Sequence, residues 1–370
     1  MVAPLLYYPV FMYTVTTLCV ATAMLHMSNT DEGLLYQKGA DAAGDTLLPF
    51  LACFVYAMFI GLRPFDGIFG DTISYARVYD NFSYQSVIAD WDTEWIWQYM
   101  MLICKRADVS VSGFVCLVSL CYFFTAFAAI CMLMPKNVMI TLLFVLSSVM
   151  FYSFGINGMR NGLACHITLL GISVMLKGRI MSASIIYACA FGIHRSAFLP
   201  IAASVAGAIG SRSLLPVICL WVASIPVSLV SGGYFTGLFA SIGFDDRMAV
   251  YTQAQDMSLF SHTGFRWDFL LYSAPPVAMA YWVTAVKRIT DRWYTVIATV
   301  YILCNAFWIL VIRSAYSNRF AYLSWFIYPF VIAYPLVNLP LWRYQKQKTC
   351  LILVGYAVFT MLLGHMWGLI

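Results

Sequence analysis

The chain has 370 residues, of which 62% are hydrophobic and only 10% charged, with a net charge of +5 and a mean hydropathy of +0.81. Soluble domains carry about 25% charged residues, so an ordinary soluble fold is excluded, and the modest net charge gives no ground for nucleic acid as a partner. Apolar runs of spanning length recur from one end to the other; they are continuous rather than alternating, which predicts helices and not a barrel.

In chain order the predicted spans are 3–27, 46–62, 112–134, 138–156, 160–176, 181–194, 197–210, 214–231, 268–286, 294–312, 320–337 and 350–368. The pair 181–194 and 197–210 is short and meets at His194-Arg195-Ser196, so the expectation is an all-α, polytopic membrane helical bundle of about 11–12 spans. It forms a single integral membrane domain, 1–370, without internal repeats. The first run has no Lys or Arg before Lys38 and no small-residue cleavage site, which reads as a retained helix. Most of the 11 cysteines lie inside apolar runs without paired ligand spacing, which reads as small buried hydrophobes. The histidines form no metal set, and no nucleotide or cofactor fingerprint occurs, so no metal and no cofactor is expected.

Two longer polar segments, 63–111 and 232–267, interrupt the pattern. Within the first, the apolar stretch from Trp95 to Cys104 is too short to span and is ended by Lys105-Arg106. It predicts an amphipathic interfacial helix with tryptophans at headgroup depth. With that stretch on the surface, six of the seven lysines fall on one side, which marks it as cytoplasmic. The opposite side collects Arg63, Arg77, Arg106, Arg160, Arg195, Arg247, Arg266, Arg313 and Arg319, together with 11 of the 16 acidic residues.

Arginines gathered on the outer face run against the orientation rule, and charges at span ends are costly unless they meet a wet cavity or a partner. Snorkelling or a carboxylate pair accounts for a single arginine. Several converging on one face suit the bidentate recognition of phosphate oxygens, which predicts an amphiphilic phosphorylated substrate. Asp71, in Gly70-Asp71-Thr72-x-x-Tyr75, has two uses open to it: capping a helix from residue 72, or serving as a general base. Glu94 has the same choice at the start of the interfacial helix. His194, flanked by Arg195 and Ser196, is either a hydrogen-bonded structural residue or a third candidate base.

Taken in order, these segments resemble the EpsG-like, Wzy-type polysaccharide polymerases. Arg63 with Gly70-Asp71-Thr72-x-x-Tyr75 is similar to that family's first outer loop, and Glu94 with the apolar stretch and Lys105-Arg106 to its second element. Gly158-Met159-Arg160-Asn161-Gly162-Leu163-Ala164 resembles its arginine motif, with Asn161 where glutamine is usual. His194-x-Ser196-Ala197, Phe265-Arg266-x-Asp268 and Asn318-Arg319-x-x-Tyr322 resemble later motifs. The resemblance implies a glycosyltransferase of the bacterial inner membrane with juxtamembrane helices in its first outer loop. It would join oligosaccharide units carried on undecaprenyl diphosphate, moving the growing chain to a sugar hydroxyl of an incoming lipid-linked unit on the periplasmic side. Its partners would be those lipid-linked donor and acceptor molecules and membrane lipids, with a flippase and a chain-length regulator alongside.

On that reading Arg160, Arg195, Arg266 and Arg319 stabilise the leaving diphosphate, assisted by Arg63, and Tyr75 and Tyr322 belong to the substrate-binding set. Asp71 or Glu94 is the base, and His194 is the next candidate. A ligase moving finished glycan to another lipid shares this architecture. A transporter or flippase would favour internal repeats and mid-membrane charge, and a membrane acyltransferase would need more than His194.

Overall fold

A computed structural model describes residues 2–27, 46–83, 94–210, 213–241, 264–314 and 317–368. Most of the 232–267 segment, with Arg247 and His262, lies outside the described residues, as do Lys38 and Arg212. Among the described residues every regular element is a helix. Among the described residues seven helices are long and apolar enough to cross a membrane: Pro4–Met27, Val111–Leu133, Met159–Leu176, Trp267–Val286, Arg292–Leu310, Asn318–Asn338 and Gln345–Met366. The pair Val138–Ser147 and Val149–Ile156, bent by 69°, makes an eighth if it is one span. Four shorter apolar helices, Leu47–Gly61, Ile180–Ile193, Arg195–Gly210 and Leu215–Ser231, complete the set. All twelve predicted runs are helical, but seven of them, or eight with the bent pair, rather than the expected 11–12 have the length of a span among the described residues, and the chain is a multi-pass helical membrane protein.

The helices are α1 (Tyr7–Met27), α2 (Leu47–Gly61), α3 (Thr72–Asp80), α4 (Trp95–Arg106), α5 (Val111–Leu133), α6 (Val138–Ser147), α7 (Val149–Ile156), α8 (Met159–Leu176) and α9 (Ile180–Ile193). They continue with α10 (Phe198–Gly210), α11 (Leu215–Ser231), α12 (Tyr234–Ser241), α13 (Trp267–Tyr281), α14 (Arg292–Leu310), α15 (Asn318–Trp325), α16 (Tyr328–Asn338) and α17 (Gln345–Met366). Contacts gather into two compact units. One comprises Met1–His194 with Ala333–Ile370, the other Arg195–Ile332.

In the first unit α8 packs on α5 and α9, α2 on α5, and α1 on α17 and α6. Lipid supplies no hydrogen bonds, so a break inside a span needs internal partners for the freed backbone. The α6–α7 break meets this requirement. Ser148 adopts extended backbone, and the Thr360 hydroxyl of α17 donates to the freed Ser147 carbonyl at 2.6 Å. His166, in the middle of α8, is fully buried, with Nδ1 against the Gly162 carbonyl and its ring edge on Tyr122.

α4 has 12 residues, a rise of about 18 Å against the roughly 30 Å of a bilayer core. It turns Trp97, Met101, Leu102 and Cys104 inward, leaves Ile103 exposed, and packs against α9. α3 is held beside it by aromatic contacts. Tyr79 stacks on Phe114 with centroids 4.7 Å apart, Trp97 meets Phe114 edge-on, and the Lys105 ammonium lies 4.6 Å from the Tyr79 ring. Two short helices of the first polar segment therefore pack on the end of this bundle, as the interfacial reading requires.

In the second unit α14 is the centre, touching α10, α11, α13 and α15. Its Asn305 ties three of them together. The side chain accepts from Trp221 Nε1 at 2.7 Å and donates to the hydroxyls of Ser273 at 3.1 Å and Ser324 at 2.9 Å. Buried polar groups with every partner in place join helices in lipid, where apolar surface alone gives little drive.

Candidate active site

The loop after α2 is organised by Arg63, which is almost wholly buried. Its guanidinium donates to the carbonyls of Ile60 at 2.8 Å and Ile156 at 3.0 Å and to the Thr72 hydroxyl at 3.0 Å. The two carbonyls end α2 and α7, where the negative ends of the helix dipoles favour a cation. Burial lowers the Arg63 pKa to about 10, so the side chain stays charged at neutral pH and those dipoles are its counter-charge. Arg63, expected beside the diphosphate, faces inward and locks the start of α3 onto the end of α7.

Gly70 and Asn157 complete that joint. Gly70 has φ +58° with ψ −119°, a conformation that side chains oppose, and a Cβ there would meet the Asn157 amide at 2.5 Å. The Asp71 amide donates to Asn157 Oδ1 at 2.9 Å. The half-buried Asp71 carboxylate does not cap α3, which leaves the first of its two uses unfilled.

Three other predicted residues come together at the same end of this unit. Glu94 stands immediately before α4 but does not cap it. Its carboxylate turns instead to two partners, Arg160 Nη1 through Oε2 and His194 Nδ1 through Oε1. Arg160 is the second residue of α8 and His194 follows the last residue of α9. Helix starts and ends meet because α8 and α9 are antiparallel neighbours and α4 lies against α9. All three side chains reach the surface, with exposures of 23% for Arg160, 18% for Glu94 and 17% for His194. Tyr75, one turn into α3, lies 5.7 Å from the Arg160 guanidinium carbon and meets Trp97 edge-on.

The chemistry of this set follows from its donors and acceptors. An ionised carboxylate only accepts, so the proton of a neutral His194 sits on Nδ1, where Glu94 holds it. Nε2 then carries the lone pair and is the basic atom. Arg160 supplies a fixed positive charge beside it. A histidine oriented by a carboxylate beside a fixed cation has the groups needed to deprotonate a hydroxyl next to an anionic leaving group.

Gly192 was not singled out from the sequence, yet it sets the spacing of this site. A Cβ there would lie 2.7 Å from Ile96 and 2.9 Å from Trp95, the first two residues after Glu94 apart from each other by one position in α4. At the present spacing of α9 and the first turn of α4, any larger residue there requires the Ile96 and Trp95 side chains to shift. Gly192→Ala is expected to cost about 1–3 kcal/mol of stability through overpacking and to displace Glu94 from His194. The thermal unfolding temperature in detergent should fall; an unchanged unfolding temperature would show that the spacing is not critical.

The remaining predicted residues belong to the second unit. Arg195 opens a 3-10 turn, Arg195–Ala197, and is half-buried. Arg266 precedes α13 and forks onto Asp268, with Nε–Oδ1 at 2.9 Å and Nη2–Oδ2 at 2.6 Å, while its guanidinium lies over Phe269. Arg319 is half-buried in the first turn of α15. Tyr322 is completely enclosed, so its ring is part of the packing of that unit and no substrate contact is open to it as the unit stands. Among the described residues no group of His, Cys, Asp and Glu has the arrangement of a metal site.

A family model described as the EpsG family matches residues 46–367. No curated protein and no solved structure gives a significant match.

Proposed function

The chain belongs to the EpsG family, and from that premise we propose that it is a polysaccharide polymerase of the bacterial plasma membrane. It moves a growing glycan from undecaprenyl diphosphate to a hydroxyl of an incoming lipid-linked repeat unit, on the periplasmic face. The observation that supports the catalytic half of this reading is the Arg160–Glu94–His194 set.

In the proposed step His194 Nε2 takes the acceptor hydroxyl proton as that oxygen bonds to the donor sugar's anomeric carbon. The bond from that carbon to the diphosphate oxygen breaks, and its electron pair leaves on the diphosphate. Glu94 holds the imidazole in the required tautomer and stabilises the imidazolium that forms. Arg160 meets the charge that grows on the leaving group, an interaction stronger in the transition state than in the ground state. Arg195, Arg266 and Arg319 are proposed to hold phosphate or sugar, with Tyr75 steadying the Arg160 guanidinium and Arg63 acting as a positioning residue. Asp71 is the rival base. The partners are the two lipid-linked glycans and the surrounding lipid, with a flippase supplying them and a chain-length regulator acting on the product.

The test is reconstitution of the full chain in proteoliposomes with a defined diphosphate-linked repeat unit. A ladder of products differing by one unit is the expected result. A single transfer to a different lipid acceptor would indicate a ligase, and transbilayer movement without new glycosidic bonds would indicate a flippase; either would overturn the proposal.

A further inference from the structure

In the first unit, on the same joint that holds Asp71, lies a cavity of about 330 Å³ formed by the start of α1, the loop Gly67–Gly70 and the end of α7. Its volume is at the small end of ligand pockets, which run from about 300 to 1,000 Å³. Tyr8, Phe69 and Tyr152 provide aromatic walls, and Ser153 and Asn157 provide polar ones. No charged side chain lines it among the described residues.

Three polar groups on this wall make no hydrogen bond to the described residues: the hydroxyls of Tyr152 and Ser153 and the amide nitrogen of Asn157. Tyr152 is buried, Ser153 half-buried and Asn157 exposed, so the three groups offer hydrogen-bonding capacity to an occupant or to water. Asn157 Oδ1 is already engaged by the Asp71 amide, which fixes the side chain. Hydroxyl and amide groups beside aromatic faces, with no charge, suit a neutral polyhydroxylated ring and not a phosphate.

We propose that this cavity binds a neutral sugar of the acceptor repeat unit, with Tyr152, Ser153 and Asn157 as its hydrogen-bonding wall. The inference rests on the polymerase reading and deepens it. Asn157 lies three residues before Arg160 in the chain and holds the Asp71 amide, so a sugar seated here meets the joint that carries the rival base. The diphosphates belong at Arg160, and the uncharged cavity takes a part of the substrate that carries no phosphate.

The experiment uses the full chain in phospholipid nanodiscs and, as probe, the lipid-free repeat-unit oligosaccharide released by mild acid from the strain's own lipid-linked precursor. Binding is read by saturation-transfer NMR. Wild type and Arg160→Lys should bind alike, Tyr152→Phe should bind about tenfold more weakly for the loss of one hydrogen bond, and Ser153→Phe, which fills the cavity, should not bind. If Ser153→Phe does not fold, the Tyr152→Phe titration decides alone. No binding to wild type, or undiminished binding to Tyr152→Phe, overturns the proposal. Sugar binding as described, but without a polymer ladder from lipid-linked substrate, would leave this site standing and defeat only the polymerase reading.

Discussion

Glu94→Gln is expected to lower the rate of glycan transfer by about two to four orders of magnitude while the protein remains folded in the membrane. The substitution preserves size and removes the charge. Two things are then lost at once. The amide can donate to Nδ1 as readily as accept from it, so the imidazole is no longer held in the tautomer that presents a basic Nε2, and the imidazolium loses its counter-ion. Where a carboxylate orients a catalytic histidine, losing the correct tautomer costs about 10⁴ in rate. Because Glu94 also engages Arg160, the leaving-group cation is loosened by the same change. His194→Gln should be similarly damaging, and the pair together should be little worse than either alone, since members of one unit are non-additive. Initial rates in proteoliposomes supply this cycle. Fully additive losses would mean that Glu94 and His194 act separately, and an active His194→Gln would return the role of base to Asp71 or to Glu94 itself.

The spans were legible in the sequence because a continuous apolar run of about 20 residues in lipid has one way to satisfy its backbone. The surface helix at Trp95–Arg106 was legible for the opposite reason, since its charged end arrives too soon for a crossing. The α6–α7 break was not. Ser147 and Ser148 look like ordinary small residues within a span, and the hydroxyl that compensates the break comes from Thr360, 213 positions away.

In the site, residue types were readable but relations were not. Glu94 ranked level with Asp71 because both stand at helix starts. The carboxylate's actual partners lie 66 and 100 positions further along the chain. Arg63 and Arg160 look alike as outer arginines, yet Arg63 meets backbone carbonyls, and an acceptor that every residue possesses leaves no trace in sequence. Tyr322 sits in a motif but is absorbed by the aromatic core of its unit. Gly192 carried a weak signal, a glycine two positions before His194, whose meaning depends on knowing that α4 lies against it.

Arg160→Lys is the second large effect expected, a fall of about 10²–10³ in transfer rate, the scale of losing one preorganised donor to a developing anion. Charge is conserved, so a site that needs only a positive potential would tolerate the change. Lysine is a compact ammonium without the planar fork, and it cannot face Glu94 and a phosphate oxygen with separate, fixed N–H groups as guanidinium does. Its shorter reach also removes the plane that Arg160 presents to Tyr75. The loss should appear mainly in the maximal rate, with the concentration dependence of the acceptor nearly unchanged, because the interaction is one that strengthens as the diphosphate leaves. Replacing the diphosphate-linked donor by one with a better leaving group should then restore more activity to Arg160→Lys than to wild type, since less charge stabilisation is demanded. Equal stimulation of both would show that Arg160 serves ground-state binding and not the leaving group.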